Sequence, residues 1–115
     1  MVTFVSGATG RVGGTLARAL IARGEEVVTL SLPHDPNLGS TEAAGIRCVM
    51  GNLASREDVQ RAMEGAHSVY HMAAVISFQP QSKELLWDVN VQGTRYVLET
   101  AAELASGHPV RLVFA

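Results

Sequence analysis

The chain has 115 residues, of which 47% are hydrophobic and 17% charged, and its formal net charge is -2. This composition argues against intrinsic disorder, and a chain of this length can bury one hydrophobic core. The charge balance gives no electrostatic footprint for nucleic acid and no basic patch for a membrane surface. The single cysteine, Cys48, excludes an intrachain disulfide, and the apolar runs are too short to span a membrane. We therefore expect one soluble domain in a reducing compartment, the cytoplasm.

Short apolar runs alternate with amphipathic stretches along the chain. In chain order the predicted elements are a strand (2–5), a helix (13–23), a strand (27–32), one short helical turn (41–44), a strand (47–50), a helix (56–63), a strand (68–76), a long helix (83–105) and a strand (110–115). Strands that are apolar throughout are typical of parallel sheets covered on both faces, so the pattern predicts an α/β fold. Right-handed crossovers favour a doubly wound parallel sheet of five strands in the order 3-2-1-4-5.

Local signals define the ends of the two shorter predicted helices. Ser55 is a predicted N-cap, with Asp58 at the capping-box position, and Gly65 is expected to end the same helix. Gly24 is expected to end the first helix.

Glycines occupy positions 7, 10 and 13, between the first predicted strand and the first helix. Gly7 permits a tight turn, Gly10 lets the backbone approach a diphosphate without an intervening Cβ, and Gly13 allows the helix to pack closely on the sheet. The free N–H groups and the positive end of the helix dipole then face phosphate oxygens. The turn predicts nucleotide or dinucleotide binding, with a purely structural turn as the alternative. No Lys-Ser/Thr pair follows the last glycine, which excludes a phosphate-binding loop of the ATPase type.

Four motifs follow one another in a recognisable order. They are Gly7-Ala8-Thr9-Gly10-Arg11-Val12-Gly13, Gly51-Asn52-Leu53, His71-Met72-Ala73-Ala74 and Asp88-Val89-Asn90-Val91-Gln92-Gly93-Thr94. Together they resemble the motifs of the short-chain dehydrogenase/reductase superfamily, in the extended branch that includes the NAD-dependent epimerases and dehydratases. The stretch from Ala73 to Phe78 is similar to that of dihydroflavonol-reductase-like members. The resemblance implies a Rossmann-type NAD(P)-binding domain over residues 1–115, with the order and spacing that this family requires.

The resemblance also implies a role for individual residues. The diphosphate would be held by Gly7, Thr9, Gly10, Arg11, Val12 and Gly13. Asn52 and Leu53 would flank the adenine, and Ala73 and Ala74 would line the channel toward the nicotinamide ribose. Asn90 would lie near the active site, where the family uses it to hold a water molecule or to kink the helix. Asn52 replaces an Asp of the family, but its amide oxygen can still accept from the adenine amino group, so binding is weakened at most.

Several of these residues also have a structural interpretation. Ala73 and Ala74 are equally explained as small residues at a tight strand end. His71, on an apolar strand, is expected to be a hydrogen-bonded core histidine rather than a catalyst. Asn90 lies on the inner face of its helix, where a structural hydrogen bond would avoid the cost of an unpaired amide. Gly93 is interpreted as a packing contact between helix and sheet.

The end of the second strand bears on the choice of nicotinamide cofactor. An acidic residue there would bind the ribose hydroxyls and indicate NAD, but none is present, and Asp35 comes late, beyond a proline. Ser31 could donate to a 2′-phosphate, and Arg11 supplies a nearby cation. These features favour NADP over NAD, although the usual Arg at the strand end is also missing.

The catalytic Tyr-x-x-x-Lys pair of the family does not occur in the chain. The chain contains one lysine, Lys83, and the residue four positions before it is Gln79 where the pair would require a tyrosine. The family's substrate-binding part and its Ser/Thr motif would follow the fifth strand. We therefore expect the N-terminal part of an extended reductase or epimerase, inactive by itself.

Two functions from different classes remain open at this point. One is the NAD(P)-binding part of an oxidoreductase or epimerase that moves hydride between nicotinamide and a carbonyl or alcohol carbon, with a small-molecule substrate only in the full-length enzyme. The other is a non-catalytic NAD(P)-binding sensor or interaction module. A folded remnant that binds nothing is a third alternative. The exposed edge of the fifth strand predicts either homo-oligomerisation through that edge or marginal stability.

Overall fold

Five strands and the helices between them account for most of the computed structural model, which describes residues 1–72 and 87–114. The strands are β1 (Val2–Ser6), β2 (Glu26–Ser31), β3 (Arg47–Met50), β4 (Ser68–His71) and β5 (Arg111–Phe114). The helices are α1 (Arg11–Ala22), α2 (Leu38–Ala43), α3 (Arg56–Met63) and α4 (Thr94–Ala105), and a π-helical segment (Trp87–Gly93) runs directly into α4. None of the helices in these ranges is long and apolar enough to cross a membrane.

The strands form one parallel sheet in the order β3-β2-β1-β4-β5, which confirms the predicted fold class and strand order. Ser6 pairs in register with His71, and Ser31 pairs with Met50, so β1 and β4 lie side by side at their carboxyl ends, as do β2 and β3. In an open α/β sheet this edge, where the strand order reverses, is where ligands bind.

Apolar residues cover both faces of the sheet, as the continuous apolar strands predicted. On one face the buried cluster comprises Phe4, Val59, Ala62, Met63, Ala66, Val69, Val97 and Ala101, contributed largely by α3 and α4. On the other face it comprises Val5, Ala8, Ala17, Leu20, Val27 and Ile46, with α1 as the covering helix. Side chains of adjacent β1 residues point to opposite faces, so Phe4 and Val5 enter different clusters.

The boundaries of the first helices differ from the prediction in informative ways. α1 begins at Arg11, two residues before the predicted start. Gly10 precedes it as an extended N-cap, so Gly13 already lies inside the helix. α2 begins at Leu38, not near 41, and its first turn is held by the hydroxyls of Ser40 and Thr41, which both donate to the Asn37 carbonyl. α3 matches the prediction, and the Asp58 N–H donates to Ser55 Oγ at 3.3 Å.

The prediction of one long α-helix is wrong over Trp87–Gly93, where the backbone is π-helical. The Thr94 hydroxyl donates to the Asn90 carbonyl at 2.8 Å, so a side chain satisfies a carbonyl at this irregular turn. The predicted helix is confirmed beyond it, where α4 buries Val97, Thr100 and Ala101 at helical spacing. The predicted end of the fourth strand (72–76), apart from residue 72, and the predicted start of the helix (83–86) lie outside the described residues.

Candidate functional site

The glycine turn after β1 has the geometry that the sequence predicted. Gly7 has a φ of +76°, a value that residues other than glycine rarely adopt. The Gly10 N–H donates to the Gly7 carbonyl at 3.0 Å. The turn is therefore tight and closed by its own backbone.

Close packing explains the next two glycines. A Cβ placed on Gly13 would overlap the Gly7 carbonyl oxygen and lie 2.7 Å from the carbonyl carbon. A Cβ on Gly14 would lie 2.9 Å from the Ala8 carbonyl oxygen. The predicted need for glycine at position 13 is confirmed, but its close neighbour is the turn itself and not the predicted sheet. Gly14 has the same requirement, which the spacing of the glycine motif did not indicate.

The first turn of α1 is open to an anion. Gly10 is its N-cap in an extended conformation, no side chain caps the helix, and no acidic residue lies in its first turn. The first N–H groups of a helix lack intrahelical partners, and the helix dipole places partial positive charge there. A bare backbone turn with uncapped N–H groups fits a diphosphate, since neither a Cβ nor a carboxylate competes for the space.

An open cleft of about 370 Å³ adjoins this turn, between α1 and α2. Its lining consists of Thr9, Gly10, Arg11, Thr15, Arg18, Asn37, Ser40 and Thr41. The Asn37 side-chain amide donates to the Thr9 carbonyl at 3.0 Å and ties the loop before α2 to the glycine turn. Asp35 Oδ1 accepts from the Asn37 N–H at 2.9 Å, so the nearest acid after β2 is engaged in its own loop.

The remaining predicted cofactor residue of β2, Ser31, does not line this cleft. It is 3% exposed, and its hydroxyl donates to the Leu32 carbonyl at 3.2 Å. Its backbone contributes instead to the neighbouring turn, because the Gly51 N–H donates to the Ser31 carbonyl at 2.9 Å.

The turn after β3 presents Asn52 and Leu53 at the same edge of the sheet. The Asn52 N–H donates to Asp58 Oδ2 at 2.9 Å, and Asn52 Oδ1 accepts from the Ala54 N–H at 2.8 Å. The hydrogen bond from the Asn52 backbone is the main reason that the pKa of Asp58 is lowered, and Arg61 adds to it. The amide oxygen expected to meet adenine thus already has one partner, and one lone pair remains.

Leu53 packs against the π-helical segment. A Cβ on Gly93 would lie 2.8 Å from Leu53 Cγ and 3.3 Å from the Leu53 carbonyl oxygen. Gly93 therefore allows the helix to approach the turn after β3, a different contact from the predicted one with the sheet.

A buried chain of hydrogen bonds lies beneath the carboxyl ends of β1 and β4. His71 Nδ1 lies 2.8 Å from Ser6 Oγ, and His71 Nε2 lies 2.8 Å from Thr94 Oγ1. Since the Thr94 hydroxyl proton goes to the Asn90 carbonyl, we assign the proton of a neutral His71 ring to Nε2, which donates to Thr94. The Met72 N–H donates to Ser6 Oγ at 2.9 Å.

This chain confirms His71 as a hydrogen-bonded core histidine. The side chain is 5% exposed, and burial lowers its pKa below the ordinary value. Ser6 and Thr94 were not predicted to take part, although Thr94 closes the Asn-Val-x-Gly-Thr motif and Ser6 precedes the first glycine. Asn90 is half-buried beside them, and Ala73 and Ala74 lie outside the described residues, so the roles implied for these three stay predictions.

Comparison with known proteins agrees with this geometry. Residues 3–115 match the NAD dependent epimerase/dehydratase family. The chain is 37% identical over 101 residues to sterol demethylase protein B of Methylococcus capsulatus, and the match covers 88% of the chain and 30% of that protein. It is 34% identical over 101 residues to the human sterol-4-alpha-carboxylate 3-dehydrogenase, decarboxylating, with 86% and 25% covered. The chain thus spans under a third of the length of these relatives.

A solved structure supports the same assignment. A short-chain dehydrogenase/reductase superfamily protein from Agrobacterium tumefaciens, with bound NAD, superposes with a TM-score of 0.80 at 30% identity. The match covers 99% of the chain and 32% of that protein.

Proposed function

The chain belongs to the NAD dependent epimerase/dehydratase family of short-chain dehydrogenases/reductases, and from this premise we propose that it binds NADP(H) in preference to NAD(H). The single observation that carries the proposal is the cleft beside the glycine turn, whose lining among the described residues includes two arginines and no carboxylate. The family and the NAD bound to the Agrobacterium protein support a nicotinamide cofactor in general. The choice of NADP rests on the charges of this cleft.

We assign the diphosphate to the turn between β1 and α1. Gly7, Thr9, Gly10, Arg11, Val12 and Gly13 would hold it through backbone N–H groups and the Arg11 guanidinium. Asn52 and Leu53 would flank the adenine, and Ser31 would support their turn through its backbone carbonyl. When bound, the nicotinamide supplies or accepts a hydride at a substrate carbon.

Electrostatics favours a phosphate on the adenosine ribose. A carboxylate that accepts hydrogen bonds from both ribose hydroxyls would repel a 2′-phosphate. The Asp35 carboxylate instead accepts a hydrogen bond from the Asn37 N–H within its own loop. Arg11 lies in the lining of the cleft and forms no ion pair with any described residue. A cation that is unpaired in the described part of the chain therefore adds positive charge to the region where a 2′-phosphate would lie.

For the whole protein we propose hydride transfer between the nicotinamide and a carbonyl or alcohol carbon. The 115 residues contain no Tyr-x-x-x-Lys pair, so we expect them to bind the cofactor without completing the reaction alone. The two relatives carry sterol in their names, which makes a 3-hydroxysterol the first substrate to offer to a longer protein that includes this chain.

The test is calorimetric titration of the chain with NADP⁺ and NAD⁺ in parallel. We expect saturable binding with the tighter affinity for NADP⁺, and loss of both in Gly10→Val, because two methyl groups would occupy the space next to the phosphates. Gly107→Val is the matched control, since a Cβ there meets only the Leu104 carbonyl oxygen at 3.7 Å.

Circular dichroism establishes that each variant is folded. A folded chain that binds neither nucleotide, or that binds equally well with Gly10→Val, contradicts the proposed site. Tighter binding of NAD⁺ contradicts the cofactor preference alone.

A further inference from the structure

We propose that Arg18, in the second half of α1, is a specificity-determining residue that contacts the 2′-phosphate of NADP(H); this inference rests on the cofactor binding proposed above. Arg11, Thr15 and Arg18 are spaced i, i+4 and i+7, so they share one face of the helix. All three line the cleft between α1 and α2. The second cation of the cleft thus comes from α1, and not from the end of β2, where Leu32 and Pro33 stand.

Gly14 provides the space that brings this charge toward the cofactor. Long side chains on a helix lean toward its N-terminus, so Arg18 reaches back over the preceding turn. Its Nη1 would lie 2.9 Å from a Cβ on Gly14, which means that the guanidinium occupies the volume that a side chain there would fill. The missing side chain therefore lets the Arg18 guanidinium lie against the helix, one turn closer to the glycine turn.

Contacts across the cleft hold the guanidinium without neutralising it. Nη2 donates to the Ser40 carbonyl of α2 at 3.4 Å, a long hydrogen bond to an uncharged acceptor. In residues 1–72 and 87–114, neither Arg11 nor Arg18 forms an ion pair. The remaining donors of a planar guanidinium match phosphate oxygens well.

Three of the four hydroxyl groups that line the cleft already donate to backbone carbonyls, and the fourth belongs to Thr9. Thr15 donates to the Arg11 carbonyl, and Ser40 and Thr41 both donate to the Asn37 carbonyl. Arginine is the charged side chain in this lining, and it can pair with a doubly charged phosphate ester. With only a ribose hydroxyl there, the Arg18 charge, on the same face of α1 as Arg11, would have no anion to compensate it, whereas a 2′-phosphate would supply one.

The experiment compares NADP⁺ and NAD⁺ affinities, by calorimetry, for the wild-type chain, Arg18→Gln, Arg18→Lys and Arg23→Gln. Arg23 is the matched control, because it is an exposed arginine next to the end of the same helix and lies outside the cleft. We expect Arg18→Gln to weaken NADP⁺ binding by about tenfold or more, the loss of one charge-assisted hydrogen bond, with NAD⁺ changed by less than about threefold. Arg18→Lys should retain part of the NADP⁺ preference, and Arg23→Gln should retain all of it.

Adenosine 2′-monophosphate and adenosine 5′-monophosphate serve as smaller probes of the same contact. Only the 2′ isomer should lose affinity in Arg18→Gln, and its advantage should shrink as salt is raised. Equal losses for NADP⁺ and NAD⁺, or an unchanged ratio in Arg18→Gln, would overturn the role of Arg18 while leaving the proposed function intact. A wild-type chain that binds neither dinucleotide overturns both, and one that prefers NAD⁺ overturns the role of Arg18 and the cofactor preference while leaving the dinucleotide site intact.

Discussion

Nε2 of His71 donates a hydrogen bond to Oγ1 of Thr94 over 2.8 Å, and this bond ties the carboxyl end of β4 to the first residue of α4. Thr94 in turn donates to the Asn90 carbonyl in the π-helical segment. A protonated His71 could still donate to Thr94, but Nδ1 would also carry a proton and the charge would be buried. The arrangement therefore favours the neutral ring.

The first prediction concerns the pH dependence of stability. Because burial lowers the pKa of His71 in the folded chain, the unfolded chain binds a proton more readily. The stabilisation is fully present above the ordinary value of about 6.5 and is lost as the pH falls from there through the folded-state pKa. We expect the free energy of unfolding in urea to decrease between pH 7.5 and 5.5.

His71→Gln and His34→Gln separate this effect from other titrations. The pKa values of Asp58 and Glu99 are lowered from already acidic values, so both carboxylates stay charged over this range. The decrease should be smaller in His71→Gln and unchanged in His34→Gln, whose side chain is exposed. An NMR titration that places the pKa of His71 above 6.5 would contradict the prediction whatever the variants do.

The second prediction follows from the overlap between a Cβ on Gly13 and the Gly7 carbonyl. The neighbour is backbone at a tight turn, which cannot move aside as a flexible side chain can. We expect Gly13→Ala to lower the free energy of unfolding by about 1–3 kcal/mol, as overpacking commonly does, and to weaken dinucleotide binding. Urea denaturation and calorimetry measure the two effects.

Gly39→Ala is the control of opposite sign. Gly39 lies in α2, and a Cβ there meets nothing within 4 Å. Restricting the unfolded chain at such a site stabilises a protein by about 0.4–1 kcal/mol. If Gly13→Ala proved as stable as Gly39→Ala, the close packing of α1 on the turn would be wrong.

The third prediction tests the turn that presents Asn52. Asp58→Asn removes the charge that accepts from the Asn52 N–H, whereas Glu57→Gln removes a neighbouring charge in the same first turn of α3. Both substitutions weaken the interaction with the helix dipole, so only the difference between them reports on the turn. Amide hydrogen exchange by NMR should show faster exchange at Asn52 in Asp58→Asn than in Glu57→Gln. Equal exchange in the two variants would assign no role to the Asp58 carboxylate.

The sequence predicts the framework better than the site. Alternating apolar runs and the glycine turn were sufficient for the sheet order, because buried parallel strands and crossover handedness leave few alternatives. The close approach of the Arg18 guanidinium to Gly14 was not predicted, since it depends on how far a long side chain leans along its helix. The π-helical segment was missed for a related reason: residues 87–93 have helical periodicity in the sequence, and that periodicity does not separate a π-helix from an α-helix.

The last prediction concerns the free side of β5. This strand pairs with β4, and no other described strand pairs with its opposite side. Val113 and Phe114 are 37% and 47% exposed, so the edge combines apolar side chains with unpaired backbone groups. We expect the 115-residue chain to self-associate through β5, with a mass by light scattering that rises with concentration.

Val113→Lys should restore the monomer, because a charged side chain on an edge strand opposes strand pairing. Leu98→Lys is the control, since Leu98 is similarly exposed, at 40%, but lies on α4. A wild-type chain that stays monomeric at all concentrations, or that is dispersed by Leu98→Lys and not by Val113→Lys, would show that the β5 edge does not mediate association.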